Sequence, residues 1–501
     1  MKTRFRHSLF ALFYLILLIL SGCSGGSDSV TETDPAIGFT PPDPADYSTL
    51  SWTDAFRATH RKFSQEYAFT DWKGVDWPGL HMQFMPRIIQ AQAAEDEKAY
   101  YLALHEYVCS IPDGHISLGA QNLEVPKAVG KELAGGGFGM AVAELDDSRV
   151  VAAAIVLKGS ADLSGIVAGA EIITWGGEPV KTAIGRIDVG AVPFKVLTGG
   201  LGGENPQATL EHYRLEQARL LTRSPVGTDV QVEFKNTGSA ASQTVTLTAV
   251  DDEGKTFSLL NFARKADFSD KVEYTILPEG YGYVLLRMEH DLSNPGYPTR
   301  VFQEFEQAIA SFVAADVLGV ILDLRGNYGG SDELAADLCG FFYAEPSFYE
   351  YQEYYDKRTG QFLRITFNDL PAIVDNISIN PQTPYFGGPV VVLVNPGTIS
   401  SGEGPAMCIS RLPNGRVIGF HGTNGSFGMV GGNILMPGGY SIGYPFGRSI
   451  DENGVIQLDS RNGIGGVTPN PRVPKTLENV LAFAAGTDVE LQYAIKYLSE
   501  L

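Results

Sequence analysis

From about residue 270 onward the chain alternates strand-like and helix-like segments, and several of the strands are apolar on both faces. Residues 281–287 read as a strand and 299–314 as an amphipathic helix. Residues 317–323 form a buried strand that stays apolar until its final Asp323, and a helix follows from Asp332. A strand over 389–394, a helix after Ser401 and a strand over 416–419 continue the pattern. A strand with no polar face must be covered on both sides, and helices between successive strands supply that cover. This order predicts an α/β core with a mostly parallel sheet over residues 270–501.

The 501 residues suggest about three domains at roughly 150 residues each. Apolar residues make up 44% and charged residues 19%, enough to fill real cores. The 37 Lys and Arg against 58 Asp and Glu give a formal charge of −21, which argues against a nucleic-acid partner. Four cysteines do not make a disulfide scaffold, and Cys109, Cys339 and Cys408 sit in apolar contexts that suit buried small side chains.

Ahead of the core, residues 49–128 carry helical periodicity. Trp52, Phe56, His60, Phe63 and Tyr67 recur at three- and four-residue steps, and a second helix ends before the turn Pro112-Asp113-Gly114, directly followed by His115. Residues 129–252 change to Gly-punctuated strands and resemble a PDZ domain. The resemblance implies that the loop Gly137-Phe138-Gly139-Met140 binds a peptide end while a strand edge pairs with the peptide. A partly helical insertion over 186–226 exceeds a minimal PDZ domain.

The first residues are not part of the globule. Lys2, Arg4 and Arg6 precede the twelve-residue apolar run 9–20, too short to span a bilayer comfortably. Leu20-Ser21-Gly22-Cys23 resembles the lipobox of a bacterial lipoprotein signal. The resemblance implies a signal peptide over 1–22, lipidation of Cys23 and a membrane attachment through that lipid. Ser24 resembles an outer-membrane sorting residue, so the expected location is the bacterial cell envelope, outer membrane, facing the periplasm. Residues 23–48, rich in Ser, Gly, Asp and Pro, read as a tether.

Two motifs lie at strand ends: DLRGNYGG over 323–330 and NPGTISSGE over 395–403. Ligands gather at the carboxyl ends of such strands. A Ser at a strand-to-helix turn exposes its hydroxyl, and the Ser401 amide lies at the positive end of the following helix, where it can face a developing oxyanion. The pair Gly329-Gly330 can bring a second amide close. Asp323 and Arg325 read as an ion pair holding the glycine loop, and Glu403 as a favourable charge in the first helical turn.

Both motifs are similar to the signature segments of the carboxyl-terminal processing (tail-specific) serine proteases, the family that also holds the tricorn protease core. The resemblance implies peptide-bond cleavage with Ser400 as nucleophile, oxyanion donors at Ser401 and Gly329 or Gly330, a crotonase-like superhelical α/β core, protein or peptide substrates, and no cofactor or metal. The Ser/Lys branch carries a Thr-x-Gly-Lys segment where this chain has Thr423-Asn-Gly425-Ser426, and no Lys lies between Lys357 and Lys475. A Ser hydroxyl is no base near neutral pH. The tricorn-like branch uses His, and Asp113-Gly114-His115 matches its Asp-Gly-His segment. His115 is then the expected general base, His421 its rival, and Asp459 the acid that the resemblance suggests for orienting the imidazole. A protease-like core that binds peptide without cutting it, or a scaffold lipoprotein, is the alternative reading, motivated by the absent Lys.

Overall fold

The computed structural model describes residues 39–197, 205–262, 271–290, 299–364 and 376–501. The signal-like segment, Cys23 and the tether up to residue 38 lie outside the described residues. Strand β1 (Ala45–Asp46), in the stretch read as tether, pairs in parallel with Ile434 and Leu435, so the folded part starts earlier than residue 49. Helices α1 (Trp52–Glu66), α2 (Thr70–Lys73), α3 (Trp77–Ala94) and α4 (Glu97–Cys109) follow. Ser51, Asp76 and Asp96 cap α1, α3 and α4 by accepting the amides of Asp54, Gly79 and Ala99. Their apolar faces, including Phe56, Phe63, Phe84 and Leu104, share one core with Ile434, Met436, Ile442 and Tyr444. The helical part is therefore not a separate domain: an apolar helix face needs a partner, and here residues from the distant 428–450 hairpin supply it. Strand β2 (Ser117–Ala120) leaves the His115 turn and pairs with that same hairpin.

After α5 (Glu124–Ala134) and β3 (Gly136–Gly137) comes a six-stranded antiparallel sheet, five strands in a row with the two-residue strand Glu178–Pro179 paired beside one of them. The row is built from β4 (Met140–Glu144), β5 (Val150–Ile155) and β6 (Glu171–Trp175), then, past helix α6 (Leu210–Leu221) and β7 (Arg223–Ser224), from β8 (Asp229–Lys235) and β9 (Gln243–Thr248). Its order is β9-β8-β6-β5-β4, which leaves β4 at an edge. Strand β3 lies between β7 and β10 (Val250–Asp251) in a separate small sheet.

The C-terminal part holds β11 (Glu273–Ile276), β12 (Gly282–Leu285), α7 (Arg300–Ala314), β13 (Val320–Asp323), α8 (Asp332–Cys339), β14 (Ser347–Asp356), β15 (Val390–Leu393), α9 (Glu403–Ser410) and β16 (Gly415–Ile418). The sheet order β11-β12-β13-β15-β16 is parallel apart from the antiparallel β11-β12 pair, in line with the expectation from doubly apolar strands. Val320, Leu322, Val390 and Val392 pack on one side with α7 and α8, while Ile321, Val391 and Leu393 pack on the other with Val473 and Leu498. A second sheet, built on the hairpin β17 (Gly428–Met436) and β18 (Tyr440–Ile450) with β14 beside it, has no counterpart in the sequence reading.

Candidate active site

Strands β13 and β15 are neighbours in register, with Asp323 opposite Leu393. Their carboxyl ends therefore release the two motif loops side by side. Asn395 ties the loops together, its Oδ1 accepting the amides of Gly326 (3.0 Å) and Gly397 (2.9 Å). Thr398 Oγ1 donates to the Leu324 carbonyl at 2.7 Å. Arg325 pairs with Asp323 at 2.6 Å, as the spacing suggested, and also reaches Asp488 and Glu490 near the start of helix α10 (Val489–Ser499).

Ser400 sits between these loops at the strand-to-helix turn, with φ at +60°. A non-glycine residue in the left-handed region is a strained conformation that surrounding structure must hold. Here the Ser400 amide donates to the Ser426 carbonyl at 3.0 Å, and the Ile399 amide donates to the Asn327 carbonyl at 3.0 Å. The next amide, that of Ser401, has no hydrogen-bond partner among the described residues, nor has that of Gly330. The Gly329 amide is different: it donates to Asn327 Oδ1 at 2.8 Å. Of the two glycines, Gly330 is thus the one with an amide to offer, and Gly329 serves through its shape. Its φ is +84°, and a Cβ there would lie 2.6 Å from the Ser400 Cβ.

Glu289 braces this loop from behind. Its backbone amide donates to the Gly329 carbonyl (3.1 Å) and its carbonyl accepts the Ser331 amide (2.9 Å). Its fully buried carboxyl accepts Asn327 Nδ2 at 2.7 Å, and burial pushes its pKa up to about 8. Glu403 is not a first-turn charge as expected, since burial pushes its pKa up to about 8. Its buried carboxyl accepts the amides of Gly425 (3.1 Å) and Ser426 (2.9 Å) and the Thr423 hydroxyl, so it shapes the loop on which the Ser400 amide rests.

His115 is brought to the same place from the N-terminal part. Asp113 Oδ1 accepts the His115 amide at 2.9 Å, and the Gly114 amide donates to Ser426 Oγ at 2.8 Å. A Cβ on Gly114 would lie 3.1 Å from both Ile399 Cδ1 and Ser426 Oγ, so the turn lies directly on the Ser400 loop. Both imidazole nitrogens of His115 are buried without a hydrogen-bond partner. Burial lowers its pKa, with Asp113 opposing and Lys73 reinforcing the shift.

The acid nearest the imidazole is Asp113, with 4.0 Å between Oδ1 and Nδ1. Asp459, the acid expected from the resemblance, is instead ion-paired at 2.6 Å with Lys73, at the end of α2, and accepts the Phe427 amide. The reason is charge compensation: a buried carboxylate takes the strongest cationic donor in reach. Lys73 also donates to the carbonyls of Pro112 and Ser460, both at 3.0 Å, and Tyr67 donates to Asp113 Oδ2 at 2.7 Å. Nothing in the residues around Lys73 marked it, because its role depends on partners far along the chain. His421 turns away to Glu211 at 3.2 Å and packs on Phe262.

The loop read as peptide-binding is spent within its own module. Gly137 is paired on both sides by β7 and β10, the Phe138 amide donates to the Thr222 carbonyl (3.2 Å), and the carbonyls of Phe138 and Gly139 accept Ala161 and Val156 amides. Phe138 and Met140 are buried. Small glycines let strands close over the loop where an open anion site was expected, and among the described residues the unpaired edge begins at Met140 in β4. Arg214 of α6 reaches across that edge to Glu144. Among the described residues, no group of three or more His, Cys, Asp and Glu side chains could hold a metal ion.

The family model for peptidase family S41 matches residues 285–473, which include Gly329, Gly330 and Ser400 but not His115. Two solved structures of mature CPAF share the fold. The complex with lactacystin is 13% identical with a TM-score of 0.54, covering 90% of this chain and 99% of that one. The other is 14% identical with a TM-score of 0.55, covering 89% and 97%. The photosystem II D1 C-terminal processing protease is 18% identical over 88% of this chain and 99% of its own, with a TM-score of 0.37. No curated protein matches. By its matched residues, the strand-to-helix serine and the glycine loop beside it, the segment 285–473 of this chain is that of a serine-type peptidase and is similar to peptidase family S41.

Proposed function

We propose that the protein is a lipid-anchored endopeptidase of the cell envelope that cuts exported proteins by acyl transfer. Ser400 attacks the scissile carbonyl, and neutral His115 takes the hydroxyl proton and later returns it to the leaving amine. The Ser401 and Gly330 amides receive the oxyanion. Asp113 is the carboxylate best situated to orient the imidazole. The substrate's C-terminal end enters as an added strand on the β4 edge, beside α6. Attachment runs through Cys23 and a tether that ends before β1.

The observation that carries this reading is the pair of bonds at Ser426, which holds the Gly114 amide through its side chain and the Ser400 amide through its carbonyl. It puts a neutral imidazole and a strained serine on adjoining turns. The test is fluorophosphonate labelling followed by peptide mapping. The adduct is expected on Ser400, and Ser400→Ala should abolish peptidase activity with thermal stability nearly unchanged. His115→Ala should lose most activity at neutral pH and His421→Ala little. An adduct on another residue, or full activity in Ser400→Ala, refutes the assignment. For the anchor, Cys23→Ser should move the protein from the detergent phase to the aqueous phase.

A further inference from the structure

The imidazole of His115 has no hydrogen bond of its own among the described residues, so its aim depends on how its backbone is held. Two bonds, to Asp113 and to Ser426, hold that turn. A third support comes from outside both the helical part and the core. The carbonyls on either side of the histidine, Gly114 O and Ile116 O, accept from one and the same group, Asn205 Nδ2, at 3.2 and 3.0 Å. Two carbonyl acceptors leave no ambiguity about which end of the carboxamide faces them, since only the NH2 can donate.

Asn205 belongs to the insertion within the β-rich module. Its own carbonyl is fixed by Lys195 Nζ at 2.9 Å and by Gln207 Nε2 at 3.4 Å. A few residues on, the same segment starts α6, and that start is docked on the loops behind the nucleophile. The Leu210 amide donates to the Gly463 carbonyl (2.8 Å), while the Glu211 carboxylate accepts the Gly422 amide (3.1 Å) and pairs with His421 and Arg472. A Cβ on Gly425 would lie 2.8 Å from Thr209 Cγ2. One end of the segment therefore grips the base turn, and the other grips the loop that carries Ser426.

We propose that Asn205 is a positioning residue for the general base, its carboxamide bracketing His115 and holding the imidazole toward Ser400. This rests on the reading of His115 as base. The module's insertion thus completes the catalytic apparatus, and the matched family segment alone does not contain it. Misplacing a catalytic group by about 1 Å can cost on the order of 10²-fold in rate, so a clamp on the backbone of the base has leverage.

The test is a double-mutant cycle on the full chain, with the Ser400 fluorophosphonate labelling rate as the readout beside peptide hydrolysis. Asn205→Asp keeps the shape but sets a carboxylate oxygen against two carbonyls. It should lower kcat and the labelling rate roughly tenfold with KM within about twofold, and lower the labelling rate less than about twofold in the His115→Ala background. Asn205→Gln, which keeps the donor, should recover most of the loss, and it also serves if the Asp variant folds poorly. An equal loss in both backgrounds, no loss in the wild-type background, or a loss in KM alone overturns the proposal. Failure of the underlying reading has its own signature: His115→Ala by itself would leave activity intact.

Discussion

The Gly114 amide donates to Ser426 Oγ at 2.8 Å, and this contact joins segments 312 positions apart in the chain. Ser426 stands where the Ser/Lys branch of the resembling family has its lysine. In this protein the position is fully buried and is used as a joint: side chain to the His115 turn, carbonyl to the Ser400 amide. The joint holds the histidine-bearing turn against the Ser400 loop.

Ser426→Ala should leave the buried Gly114 amide without an acceptor. An unsatisfied buried donor costs about 1–3 kcal/mol, so the thermal midpoint falls and peptidase activity drops with it. Ser426→Lys should not restore activity to His115→Ala, because Asn424 and Gly114 already crowd that space. Peptide hydrolysis by the double variant checks this; recovered activity would show that the lysine position is still open.

Gly329→Ala should lower kcat by about 10² or more, the size expected when an oxyanion site is displaced. The new methyl would collide with the Ser400 Cβ, and the φ of +84° strains any side chain. Gly454 is the built-in control. Its φ is +81° but nothing lies within 4 Å of a Cβ there. Gly454→Ala should therefore cost only about 1 kcal/mol of stability and leave kcat alone. Equal effects on kcat from both substitutions would refute the steric argument.

The acid limb of kcat/KM should lie below the ordinary histidine range near pH 6.5, because burial depresses the His115 pKa and the base must be neutral to act. Lys73 adds to that depression, while Asp113 opposes it. Lys73→Met removes that reinforcement and leaves Asp113 to oppose burial alone, so His115 should hold its proton to higher pH. Activity at pH 6 should then fall more than activity at pH 8. A pH profile whose acid limb stays put, or moves lower, would remove Lys73 from any role in the base.

Stability should fall as pH rises from about 6.5 to about 8. Glu289 and Glu403, both raised to about 8 by burial, keep their protons in the folded state and lose them on unfolding across this window. Each such proton lowers unfolding free energy by about 1.4 kcal/mol per pH unit. Below about 6.5 the buried neutral histidines, His115 and His421 among them, act in the opposite sense, since they gain protons only when unfolded. Glu289→Gln should flatten the decline. Urea denaturation at several pH values measures both slopes, and identical slopes would contradict a protonated Glu289.

Much of the core was legible locally. Residues 317–323 and 389–394 are apolar on both faces, and that alone demands a covered, mostly parallel sheet; the glycines and the serine at their carboxyl ends mark where loops must turn sharply. Helix starts were legible for the same reason, as at Thr299, whose hydroxyl accepts the Phe302 amide at 3.2 Å. The β17-β18 hairpin was not, because its worth lies in covering helices from the other end of the chain.

The amino-acid sequence by itself determined the parallel core strands, the strand-to-helix turn at Ser400 and the glycine beside it, since each depends on neighbours a few residues away. Only the tertiary structure decided that Asp459 pairs with Lys73, that Asp113 is the acid beside His115, that Gly137 is closed off by paired strands, and that Asn205 grips the His115 turn. Buried charges and amides settle on whichever partner the folded chain brings within about 3 Å, and that choice is made across hundreds of residues, where no local pattern reaches.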